Sequence, residues 1–127
     1  MYKEIIIVVV VIAIVVGLDI ITNNYTKKSV ELISKELEIL KEEIFKKNKE
    51  KAEVQMKKVQ EEWEKRYNVL AFYIEHDELE KVKTELTGLE ADLSVEEYKH
   101  CISELEKTIF ILEHIKEKEE FHFRSIF

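Results

Sequence analysis

One stretch decides what this chain can fold into. Ile5 to Ile21, IIIVVVVIAIVVGLDII, holds seventeen residues and a single charge, Asp19, near its far end. From Ile5 to Val16 every residue is Ile or Val except Ala13, a run too long and uniform for the interior of a small domain. As a helix rising ~1.5 Å per residue it reaches ~25 Å, a little short of a ~30 Å hydrocarbon core. Met1 and Tyr2 lengthen the apolar part, Lys3 can snorkel, and Tyr25 suits the opposite interface. A spanning helix then needs little tilt or local thinning of the bilayer. A cleaved secretory leader is the competing reading, and it asks for a basic start and small residues before the cut. Here Glu4 follows Lys3 at once, and Gly17, Leu18 and Asp19 make no A-x-A site. Residues 1–22 are therefore expected to form an uncleaved signal-anchor, with a bundle domain over 23–127. Lys3 on one side and Lys27 with Lys28 on the other nearly balance. The short tail ahead of the run favours an N-in, C-out arrangement, hence a single-pass protein of the cell membrane with its bundle extracytoplasmic.

Past the anchor the chain is densely charged. Setting aside Lys3, Glu4 and Asp19 leaves 19 basic and 25 acidic residues after Thr22, about −6 of the overall −7. Phosphate backbones are bound by clustered Lys and Arg, and no basic stripe exists here, so nucleic acid is excluded as a partner. Cys101 is the sole cysteine, cannot form an intramolecular disulfide, and reads as a small core residue beside Ile102. About 105 residues suffice for one small domain. Proline is absent and glycine occurs only at Gly17 and Gly88, so the turn chemistry of a strand-rich domain is missing.

Periodicity points to helices. Val30, Ile33, Leu37, Leu40 and Ile44 step by three and four, with Glu31, Lys35, Glu38, Lys41, Glu42 and Glu43 opposite. TNNYTKKS contains no strong breaker, so this segment either continues the anchor or restarts from a Thr26 or Ser29 cap. After the polar KKNKEK, Asn48 suits an N-cap with Glu50 in the first turn. A second seam follows, Ala52, Met56, Val59, Trp63, Tyr67 (or Arg66), Leu70 and Ile74. The phase then slips, and Leu79, Val82, Leu86, Leu89 and Leu93 form a third. Asp77 with Glu80 has the form of a capping box, which predicts a break near His76, a continuous helix with a stutter being the alternative. Ser94 and Glu97 make a second box ahead of Val95, Tyr98, Ile102, Leu105, Ile109 and Leu112, a seam expected to end near Lys116 to Lys118. Four amphipathic segments on short turns predict an all-α fold, an N-terminal transmembrane helix followed by an antiparallel up-down-up-down four-helix bundle.

The chain carries no Gly-rich phosphate loop, no G-x-S-x-G, no H-E-x-x-H and no CxxC. His100 and Cys101 are adjacent and point about 100° apart on a helix, which disfavours Cys–His catalysis. A hairpin about residue 93 would pair positions whose numbers add to ~186, bringing His76 level with Phe110 and His114 level with Phe72. His76, Asp77, Glu113 and His114 thus make a candidate binding patch able to take Zn²⁺ or a similar ion, against the plainer reading of polar side chains at a helix break. Glu97 and His100 form the sole Glu-x-x-His, so a di-iron site is not supported. The closing FHFRSIF is too short for a further helix. Its Phe121, Phe123, Ile126 and Phe127 are expected to dock on the bundle, or else to touch a partner or the membrane.

Three stretches, QEEWEKRYNVLAFYIEHDELEKV, LTGLEADLS and TIFILEHIKEKEEFHFRSIF, carry a resemblance. Trp63, Ile74 to Glu78, and Glu113 to Phe127 are the elements, and on them the chain resembles the domain of unknown function 4363 family of small single-pass bacterial membrane proteins. Lys116 stands where the pattern would have Pro. The resemblance implies the same architecture and no established activity. The resulting expectation is a non-enzymatic, membrane-anchored helical module without cofactor or metal, an accessory or interaction protein of the cell envelope. Its partners would be the lipid bilayer and another membrane protein. An extracytoplasmic ligand- or metal-sensing bundle is the alternative.

Overall fold

The computed structural model of the protein describes residues 1–126, with side chains as far as Ser125. Four helices follow one another: α1 Tyr2–Phe45, α2 Lys49–Leu70, α3 His76–Ser94 and α4 Tyr98–Ile126. No strand occurs among the described residues. The helices form the expected antiparallel up-down-up-down bundle, α1 and α3 each packing on α2 and α4. A polar clasp joins every neighbouring pair. Gln55 donates to Glu36 at 2.6 Å between α1 and α2, and Gln60 to Glu90 at 3.0 Å between α2 and α3. His100 meets Asp92 at 3.3 Å between α3 and α4, and Lys41 meets Glu106 at 2.6 Å between α1 and α4.

The apolar run and the first bundle helix are one element of 44 residues. Nothing between Thr22 and Ser29 breaks it, because the two threonines satisfy themselves inside the helix. Thr22 Oγ1 donates to the Asp19 carbonyl at 3.1 Å and Thr26 Oγ1 to the Thr22 carbonyl at 2.9 Å. Its first half is apolar and uncovered, with an 18-residue window of mean hydropathy 3.2 in which no residue is buried. That length and composition are enough to cross a membrane. Burial starts at Thr26 and runs through Val30, Ile33, Leu37, Leu40 and Ile44.

Two tight turns close the end of the bundle remote from the apolar run, and they share one construction. Lys47 has φ 55° and Glu96 φ 60°, both left-handed. Asn48 N–H bonds the Glu43 carbonyl and Lys47 N–H that of Ile44; Glu97 N–H bonds Asp92 and Glu96 N–H bonds Leu93. These paired bonds are Schellman motifs, normally built on glycine. Asn48 caps α2 as expected, accepting from Lys51 N–H at 3.2 Å. The other caps differ from expectation. Ser94 remains in α3 and its hydroxyl turns back to the Ala91 carbonyl at 2.6 Å, so the Ser94–Glu97 box does not form and α4 starts at Tyr98. The break before α3 comes at residues 71–75, with Glu75 in the cap position, which places Asp77 inside the first turn where it complements the helix dipole instead of capping.

The first three seams are buried as read, from Val30 to Leu93, save that Tyr67 is half-covered. The fourth is rotated. Cys101, Leu105, Thr108, Leu112 and Ile115 are buried, Ile102 and Ile109 are half-covered, and Val95 is 66% exposed. A stripe facing both α1 and α3 is centred between them, and that centre includes Thr108, whose hydroxyl is satisfied by the Glu104 carbonyl at 2.8 Å. The fourth helix also does not stop near Lys118. It runs to Ile126 and absorbs most of the expected tail. Within that tail, Phe121 is exposed and Phe123 half-covered, while Phe127 and the side chain of Ile126 lie outside the described residues.

Candidate functional site

Where α1 leaves its apolar run, three elements converge. The link after α2 brings Tyr73, whose hydroxyl lies 3.1 Å from the Thr22 carbonyl and 2.7 Å from Thr26 Oγ1. Burial pushes that hydroxyl above its ordinary pKa. Alongside, the last turns of α4 come down past Leu18 and Asp19. Between these elements lies an open cleft of about 710 Å³. Leu18, Phe72, Ile74, Ile115 and Phe121 supply its apolar lining, and Asp19, Glu78, Glu119 and His122 its polar one. Lys118 Nζ sits 3.5 Å from Glu75 and 3.7 Å from Glu78. Asp19 Oδ2 and Glu78 Oε2 are buried without a hydrogen-bond partner among the described residues. Burial raises the Glu119 carboxyl above the usual carboxylate range; His122 pulls it down and Asp19 adds to the rise. The cleft thus sets apolar side chains beside buried carboxylate oxygens.

The sequence-derived patch is differently placed. His76 and Asp77 open α3 and are exposed, and His76 Nε2 lies 3.5 Å from Glu80 on its own helix. His114 is exposed on α4, and Glu113 pairs with Lys116 at 3.1 Å. No hydrogen bond or ion pair links any two of His76, Asp77, Glu113 and His114 among the described residues. The hairpin register also differs from expectation. Asp92 opposite His100 and Gly88 opposite Glu104 give paired numbers adding to about 192, because α3 continues to Ser94 before the turn.

That register assembles a group that sequence spacing did not single out. Asp92, His100 and Glu104 each offer a ligand atom, all within 4.8 Å of one another. Gly88 faces them: a Cβ there would come 3.0 Å from the Glu104 carboxylate oxygens, so the missing side chain makes room for that carboxylate against α3. Burial first, then the neighbouring Asp92, hold the Glu104 carboxyl above the usual range. Buried Cys101 lies next to this group with its thiol pushed up to about 11, chiefly by burial, and so stays protonated at neutral pH. Only the residue types D, H and E were visible in the sequence. Bringing them together required the true position of the turn.

The architecture defines a class: a small helical bundle built on one long helix that is apolar enough at its start to cross a membrane. Residues 20–126 match the family model described as a domain of unknown function (DUF4363), and the chain belongs to that family. No curated protein and no solved structure gives a significant match.

Proposed function

We propose that this protein is a non-enzymatic, single-pass membrane module that presents a rigid helical bundle to another protein of the cell envelope, as an accessory or interaction partner. The observation that supports it best is the undivided α1. Its uncovered apolar half suits lipid, and its second half is the core of the bundle, so the domain is held at a fixed height and angle. Away from the anchor the bundle leaves Val54 and Phe110 72% and 73% exposed, which offers apolar contact points to a partner. Photo-crosslinking in membranes from position 54 or 110 tests this. A specific protein adduct from either position supports an interaction module, and the absence of adducts from both contradicts it.

A ligand- or metal-sensing bundle is the second reading, and the Asp92–His100–Glu104 group favours it over the exposed histidines 76 and 114. Its test is the melting temperature with added Zn²⁺. A rise in the wild-type chain that His100→Ala removes would support it, and no change would end it.

A further inference from the structure

Among the described residues, the fold leaves two large apolar rings in the open at the anchor end. Phe72 in the α2–α3 link is 89% exposed and Phe121 near the end of α4 is 75% exposed. Both line the same cleft as Leu18, which belongs to the apolar run. Their height is set by the helix beside them. The Tyr73 hydroxyl on the Thr22 carbonyl holds neighbouring Phe72 near the level of Thr22. Lys41 meets Glu106 at 2.6 Å higher up, and His122 and Ser125 share the cleft with Leu18 and Asp19, so α4 descends beside α1 to the last turn of the run. Because α1 is unbroken across this level, the bundle has no hinge there by which to lift away.

The surroundings have the chemistry of a membrane–water boundary. Arg124 is exposed in the same last turn of α4, Lys27 and Lys28 are exposed just beyond the run, and Arg66 lies 5.2 Å over the ring of Tyr25. Aromatic rings with flanking basic side chains are the usual content of that zone. The one charge inside the run, Asp19, is half-covered and its Oδ2 is buried, which keeps it off the lipid.

We propose that Phe72 and Phe121 seat the base of the bundle in the headgroup–acyl boundary of the bilayer that α1 crosses, so that the domain rests on the lipid surface. This rests on the anchor reading above. With Ile5 to Ile21 filling the hydrocarbon, Leu18 lies inside its edge, and rings that share a cleft with Leu18 meet the lipid already surrounding the anchor. A protein partner or a second copy would have to displace that lipid to cover them.

The experiment uses the full chain in phosphatidylcholine vesicles, spin-labelled singly at Phe72→Cys, Phe121→Cys, Val54→Cys or Val10→Cys. Cys101 is buried and stays in place unlabelled. Collision with oxygen, which partitions into lipid, is compared with collision with a water-soluble nickel chelate. Positions 72 and 121 should favour oxygen severalfold over position 54, with position 10 highest. Rings as accessible to the chelate as position 54, or shielded from both probes as a protein cover would shield them, would overturn the proposal while position 10 still reads as lipid. A water-exposed position 10 would instead refute the anchor, and this inference with it.

Discussion

Glu96 shows how a single residue sets the register of half the bundle. It holds a left-handed φ of 60° although it is not glycine, and the two bonds of that turn carry α3 to Ser94 before the chain reverses. Left-handed geometry costs a side-chain-bearing residue roughly 1–2 kcal/mol, less the chain entropy that glycine would lose on folding. Glu96→Gly should therefore stabilise the protein by about 0.5–1 kcal/mol, read as a higher denaturation midpoint through Trp63 fluorescence. The lost 3.8 Å pair with Lys49 is exposed and offsets little. Glu104 makes a second residue-scale prediction. Its folded carboxyl binds a proton more tightly than the unfolded one, so stability from this group falls as pH rises from the ordinary value of 4.5 through its raised folded value. Glu104→Gln should flatten that fall in melting temperature, with Asp92, Glu85 and His100 unchanged around it. An unaltered pH profile would show that Glu104 is not held in its raised state.

At the scale of elements, α1 carries both the apolar run and the first seam of the core, and the link after α2 adds a tie to it near that run. The tie is one phenol, Tyr73, on Thr22 and Thr26. Tyr73→Phe removes it while leaving the Thr26–Thr22 bond intact, and should cost about 0.5–1.5 kcal/mol in thermal denaturation. The helices themselves were legible in the sequence because a seam of Leu and Ile at steps of three and four has one reading. Their ends were less so. A Ser-x-x-Glu pattern at Ser94 promised a cap, but Glu96 adopted the conformation a glycine would normally signal. The length of α4 was missed for a related reason: Phe121 and Phe123 look like a loose apolar tail until the extent of α1 beside them is known. The Asp92–His100–Glu104 group was hidden by the same turn, since a slip of three residues along each helix exchanges one set of neighbours for another.

For the molecule as a whole, the apolar run and the bundle share one unbroken helix, and the proposed seating of Phe72 and Phe121 depends on that. A bundle on a flexible tether would sample many heights, and neither Phe72 nor Phe121 would have a defined relation to lipid. The direct test is a distance measured by double electron–electron resonance between spin labels at Ile14→Cys and Lys35→Cys, both exposed positions on α1, in the full chain in bilayers. An unbroken helix over these 21 helical steps gives a narrow distribution near a backbone separation of about 32 Å. A broad distribution, or one centred well below that separation, would mean that the chain bends between apolar run and bundle and would contradict the rigid strut.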